Sequence, residues 1–220
     1  MKLSAVIFDM DGVLVDTEPL MFDVFRTVFS PYGITLSDEY QYRFIGKPFA
    51  DNLADIRRDF AINFEDHEIQ RLFLQAYRRK LTAGPLYPQA GVLEMIEFGK
   101  RAEWKFALCT TTSRQQVEIV LAQLSLGGKL EPEKVFDAVV TGNDVTHKKP
   151  HPEPYLKAAQ ALGLPAEACL AVEDTETGAA SAKAAGCLVA ALRQPYNRTM
   201  DFNQADWVVD RLAELLERLR

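Results

Sequence analysis

The chain has 220 residues, 48% of them apolar, which is enough for one sizeable core or for a core carrying a smaller inserted unit. Its net charge of −6 gives no general attraction to polyanions, and the basic clusters Arg57-Arg58 and Arg78-Arg79-Lys80 are short and suit solvated helix faces, so no nucleic-acid partner is expected. No run approaches the roughly 20 apolar residues that span a bilayer, and Cys109, Cys169 and Cys187 cannot all pair, so the reading is a cytoplasmic protein with free buried thiols and no membrane partner.

Residues 4–9 (SAVIFD) read as a buried strand, too short and too interrupted by Asp9 and Asp11 to be a signal peptide. From Thr17 to Thr82 no buried strand is evident. Aromatic residues recur there at helical spacing, as in Met21, Phe22, Phe25, Val28 and Phe29. This segment reads as a helical insert, with Pro19 near its entry and Gly84-Pro85 near its exit. Strand and helix then alternate. Strands are expected at 105–110, 136–141, 168–173, 187–192 and 206–209. Helices are expected at 113–124, 153–162, 177–185 and 210–220. Ser113 and Gln116 are spaced for a capping box on the first of these, Gly163 and Gly186 stand where C-caps want glycine, and the last carries Leu212, Leu215, Leu216 and Leu219 on one face. Such alternation implies an α/β fold, a parallel sheet with helices on both sides.

Ligands in such sheets bind beyond the carboxyl ends of the strands. The first strand ends in Asp9-Met10-Asp11-Gly12, the second in Thr110-Thr111-Thr112-Ser113, and the fourth in Glu173-Asp174-Thr175; Lys148-Lys149-Pro150 follows the third. Crowded carboxylates repel one another and need a cation, and hard oxygen ligands select Mg²⁺. A lysine and hydroxyls beside them suit a phosphoryl group. Two aspartates two residues apart can divide the labour, one as an in-line nucleophile and the other handling protons.

These motifs, in this order, resemble those of the haloacid dehalogenase superfamily. Asp9-x-Asp11-Gly12-Val13 with Asp16-Thr17-Glu18 is similar to its first motif, Thr110 to its second, Lys149 in KKPHPEPY to its third, and Glu173-Asp174 to its fourth. The resemblance implies a Rossmann-like catalytic core formed by residues 1–16 and 83–220, with an α-helical cap at 17–82. It implies Asp9 as nucleophile forming an aspartyl-phosphate, and Asp11 as the acid and base that serves the leaving group and then the water. Thr110, with Thr111 as a neighbouring candidate, and Lys149 would hold phosphoryl oxygens. Gly12 would let the chain turn and aim backbone N–H groups at the phosphate. Mg²⁺ would sit on Asp9, Asp174 and the backbone carbonyl of Asp11, with Glu173 a direct or water-mediated ligand. The cap would close over the site.

Within that superfamily, an aspartate at position 11 favours phosphate-ester chemistry over dehalogenation or phosphonate cleavage. The β-phosphoglucomutases of the family carry a histidine twelve residues after the nucleophile, where this chain has Met21. They also carry an arginine three residues after a cap-loop glycine, where it has Phe49 after Gly46. Both departures favour a phosphatase acting on a small phosphorylated metabolite, a sugar phosphate by family analogy, over a phosphosugar mutase. Phospho-accepting receiver modules also use aspartates, a threonine and a lysine, but they are shorter and lack a helical insert after the first strand. Lys47, at the tip of that cap loop, is the candidate substrate contact, with Arg43 and Arg79 behind it. His67, His147 and His151 show no ligand spacing and read as surface or loop residues. Neither the particular substrate nor the oligomeric state is written in the sequence.

Overall fold

The computed structural model describes residues 2–44, 49–126 and 131–220. The opening apolar run forms β1 (Ala5–Phe8), buried along its whole length, as expected of a central parallel strand with both faces covered. Four helices follow: α1 (Glu18–Phe29), α2 (Asp38–Phe44), α3 (Phe49–Phe60) and α4 (Asp66–Leu81). Strands and helices then alternate through α5 (Val92–Arg101), β2 (Lys105–Cys109), α6 (Arg114–Gln123), α7 (Pro132–Val135), β3 (Ala138–Val140), α8 (Glu153–Leu162), β4 (Cys169–Glu173), α9 (Glu176–Ala185), β5 (Leu188–Leu192), β6 (Trp207–Val209) and α10 (Leu212–Leu219).

The chain divides into two compact units, one running to Asp16 and resuming at Pro85, the other comprising Thr17–Gly84. The first holds a six-stranded sheet in the order β3-β2-β1-β4-β5-β6, with every pair parallel. This is a Rossmann-like arrangement. Succession runs one way from β1 to β3 and the other way from β4 to β6, so the direction reverses between the adjacent strands β1 and β4. That reversal opens the crevice in which open α/β sheets bind ligands. One face of the sheet is sealed by α8, whose Tyr155, Ala158, Ala159 and Leu162 are buried with Ile7, Ala107 and Ala171. Burying an aromatic or leucine side chain of this kind contributes about 1.5–3 kcal/mol.

The second unit is helical. Its core is aromatic, centred on Phe25, which lies 4.9 Å from Phe44 and 4.7 Å from Phe73 between ring centroids. Of the stripe read from the sequence, Phe22, Phe25, Val28 and Phe29 of α1 are buried and Met21 is half-buried, while Val24 joins the buried set. Lys47 lies outside the described residues. Arg43 donates to Asp59 at 2.7 Å and stacks on Tyr40, so it is committed within its own unit.

Two details of capping differ from expectation. The Ser113 hydroxyl donates to Gln116 Oε1 at 2.7 Å instead of forming a capping box, and Asn143 Oδ1 takes the Arg114 N–H at 2.9 Å. Helix α9 begins one residue early because Thr175 is its N-cap, accepting from the Gly178 N–H at 3.1 Å. Among the described residues, no helix is long and apolar enough to cross a membrane.

Candidate active site

The β1 ladder continues one residue past the strand, where the Asp9 N–H donates to the Val172 carbonyl at 2.9 Å. This bond fixes Asp9 beside β4 with its side chain almost fully buried. The chain then turns back. Leu14 and Val15 donate to the Met10 carbonyl at 3.0 and 3.1 Å, and Gly12 donates to the Val15 carbonyl at 2.8 Å. Gly12 has φ +78°, a conformation that glycine reaches without steric cost, and a Cβ there would overlap Asp174 Oδ2 and Tyr196 Oη. The glycine therefore permits the turn and the close approach of β4's end. Its own N–H is occupied within the turn.

At the end of β4, Glu173 is completely buried. Its Oε1 accepts from Lys149 Nζ at 2.6 Å and from Tyr155 Oη at 2.5 Å, and its Oε2 accepts from Thr175 Oγ1 at 3.2 Å and the Asp174 N–H at 3.3 Å. Gly178 leaves the space this carboxylate occupies. Lys149 reaches across from the loop before α8 and donates also to Asp9 Oδ1 at 2.5 Å and to the Cys109 carbonyl at 2.9 Å. All three protons of its ammonium are thus directed, and its side chain is only 5% exposed. Neighbouring Lys148 is exposed.

Asp174 is buried beside this pair. Its Oδ2 accepts from Tyr196 Oη at 2.7 Å, and its backbone carbonyl accepts from Asn197 Nδ2 at 2.7 Å. Asn197 donates also to the Leu192 carbonyl at 3.0 Å, tying the ends of β4 and β5 together. One carboxylate oxygen each from Asp9, Glu173 and Asp174 lie within 4.8 Å of one another. Burial, followed by the charges of Glu173 and Asp11, pushes the Asp9 carboxyl up to about 8 against the pull of Lys149. Lys149 is held well above its usual value because its two carboxylate partners outweigh the cost of burying it.

Asp11, half-buried, accepts from Thr112 Oγ1 at 2.8 Å. Thr110 is buried at the end of β2, its Oγ1 accepting from the Thr112 N–H at 3.1 Å, whereas Thr111 is exposed. Strands β1, β2 and β4 and the Lys149 loop therefore bring Asp9, Asp11, Thr110, Lys149, Glu173 and Asp174 to one end of the sheet. Thr112, Tyr155, Tyr196 and Asn197 were not read from the sequence. Only Thr112 carried any signal there, as one of four consecutive hydroxyl residues; the others act across the fold and leave no local pattern.

A family model for haloacid dehalogenase-like hydrolases matches residues 6–192. This chain belongs to that family. Among its relatives, the protein CbbY of Rhodobacter capsulatus is 33% identical over 219 residues, covering 97% of this chain and 95% of the relative. The phosphorylated carbohydrates phosphatase of Thermotoga maritima is 34% identical over 184 residues, covering 84% of this chain and 82% of the relative. A crystal structure of a CbbY mutant from Rhodobacter sphaeroides, in complex with xylulose-(1,5)bisphosphate, superposes with a TM-score of 0.79 at 28% identity, covering 97% of this chain and 96% of that one. Within the haloacid dehalogenase-like hydrolases the chain falls on the phosphatase branch, with the enzyme class of a phosphoric monoester hydrolase.

Proposed function

We propose that the protein is a Mg²⁺-dependent phosphatase that hydrolyses a small sugar phosphate through an aspartyl-phosphate on Asp9. The observation that carries this reading is the Asp9–Lys149–Glu173 contact, with Asp174 beside it, at the sheet's switch point. The residues fit the metal. Three buried carboxylates offer oxygens close together, and Asp9, which must be ionised to attack, is pushed toward its neutral form unless more positive charge is near. Asp9, Asp174 and the Asp11 carbonyl would hold the ion. Both Glu173 oxygens already serve Lys149, Tyr155, Thr175 and the Asp174 N–H, so Glu173 would reach the ion through water. When bound, Mg²⁺ offsets the charge of the carboxylates and of the phosphoryl oxygens.

The rest is done by side chains. Lys149 holds Asp9 Oδ1, which orients the carboxylate, and offsets charge on the transferring phosphoryl group. Thr110 holds a phosphoryl oxygen. Asp9 attacks phosphorus, and the bond to the sugar oxygen breaks as that oxygen takes a proton from Asp11. Asp11, now a carboxylate, takes a proton from the water that attacks the aspartyl-phosphate. Inorganic phosphate leaves and Asp9 is regenerated. The insert that follows the Asp9–Asp11 turn in the chain is the substrate-selecting cap in this reading. A mutase would share the first half-reaction, but Met21 and Phe49 stand where the family's mutases carry histidine and arginine, which favours hydrolysis.

The reading is tested by phosphate release over a panel of sugar mono- and bisphosphates, with Mg²⁺ and with a chelator. Release should require Mg²⁺ and vanish in Asp9→Asn. Activity surviving Asp9→Asn would overturn the mechanism.

A further inference from the structure

The loop between β3 and α8 brings His147, His151 and Glu153 together, although nothing in their sequence spacing suggested it. One ligand atom from each lies within 4.8 Å of the other two. The two imidazole rings are 4.5 Å apart between centroids and inclined by 31°. His147 Nδ1 is 3.1 Å from Glu153 Oε2. The arrangement is built by backbone bonds. Glu153, the first residue of α8, accepts the Thr146 N–H at 2.9 Å and the His147 N–H at 2.8 Å, while its own N–H donates to His151 Nδ1 at 3.2 Å. Lys157 lies 3.1 Å from Glu153 Oε1, leaving Oε2 as the oxygen on the imidazole side.

We propose that His147, His151 and Glu153 form a second metal site, separate from the carboxylate cluster, that takes a borderline transition ion such as Zn²⁺. Two imidazoles and one carboxylate are the donor set such ions prefer, whereas Mg²⁺ favours oxygen ligands and keeps its waters. Ligand bonds of about 2.0–2.2 Å at tetrahedral angles place neighbouring donors roughly 3.3 Å apart, close to the observed His147–Glu153 separation. An ion between these two atoms would take the place of the imidazole proton. His151 would use Nε2, since its Nδ1 already accepts the Glu153 N–H. Three protein ligands leave a fourth position for water. The ion would pin both ends of the segment that carries Lys149. The proposal does not depend on the phosphatase reading.

The experiment titrates the full-length protein with Zn²⁺ against a chromogenic chelator, in excess Mg²⁺ to occupy the carboxylate cluster, and repeats it with Co²⁺ to read the visible spectrum of a tetrahedral site. The wild type should bind one equivalent and gain thermal stability with Zn²⁺. Each of His147→Ala and His151→Ala should weaken binding by at least the 10–100-fold typical of lost supporting groups at metal sites. Both histidines are exposed, so their variants should fold and release phosphate as the wild type does. Asp9→Asn should bind Zn²⁺ unchanged. Wild-type affinity in both histidine variants, loss of binding in Asp9→Asn, or no binding by the wild type would each overturn the proposal.

Discussion

Tyr155 is the residue whose removal most directly tests how the site is held. Its ring is completely buried under the sheet, and its hydroxyl donates to Glu173 Oε1 at 2.5 Å. Tyr155→Phe deletes one oxygen and leaves the ring, so little cavity forms and the loss is chiefly that of a hydrogen bond to a buried carboxylate. Such bonds contribute about 1.5–3 kcal/mol. Glu173 keeps Lys149, Thr175 and the Asp174 N–H, so the expected destabilisation is about 2 kcal/mol. For a chain of this length each kcal/mol lowers Tm by about 2–4 °C, giving a fall of about 4–8 °C by calorimetry. Glu173 positions Lys149 against Asp9, so kcat should fall as well while KM changes little. If Tm and kcat of Tyr155→Phe match the wild type, the Glu173 carboxylate is not held by the tyrosine and the reasoning fails.

Thr112→Val removes the hydroxyl that orients Asp11. A loss of about 1.4 kcal/mol in the transition state should lower kcat about tenfold with KM unchanged in steady-state assays. Gly12→Ala must adopt φ +78° and place a methyl group against Asp174 and Tyr196, so catalytic efficiency should collapse and unfolding in urea should shift lower by at least the roughly 1–2 kcal/mol of left-handed strain. In the helical unit, hydrogen bonds from Tyr40, then Arg58 and Arg43, hold Asp59 below the usual carboxylate range. A depressed folded-state value contributes stability above the unfolded value that is lost as pH falls toward the folded one. Asp59→Asn should therefore flatten the decline in urea stability below about pH 4. Asp174→Asn should abolish Mg²⁺-stimulated phosphate release while leaving the far-ultraviolet circular dichroism unchanged.

The strands were legible because parallel strands buried on both faces must be continuous apolar runs, and each such run ended in a polar residue that marked the sheet's rim. Asp9, Thr110, Glu173 and Asp174 were readable for that reason. Lys149 was readable through the family resemblance, since KKPHPEPY is similar to the family's third motif. The partners of these residues were not legible. Tyr155 sits on a helix face with the ordinary spacing of a core residue, and Tyr196 and Asn197 belong to a short turn after β5 that only the fold carries to β4. His147 and His151 were passed over because their spacing in a loop says nothing about proximity until Glu153 gathers the backbone around itself. In the helical unit the aromatic spacing of α1 was visible, whereas α2 to α4 had to await tertiary packing around Phe25.

The two aspartates that open the site carry the same functional group and are given different environments by one turn. Asp9 stays on the ladder, bonded through its N–H to Val172, and is buried against a lysine and two further carboxylates. Asp11 stands two residues on, where the left-handed Gly12 bends the chain out of the sheet, and it meets a neutral threonine hydroxyl in a half-buried position. A fixed, lysine-held carboxylate suits attack along a set line. A carboxylate that accepts from a neutral hydroxyl, nearer to water, suits giving and taking a proton. On the proposed mechanism the division of labour follows from where the strand stops. Exchanging Asp9 for Glu would advance the carboxylate by one methylene into Lys149 and Asp174, which should cost the reaction far more than the same change at Asp11.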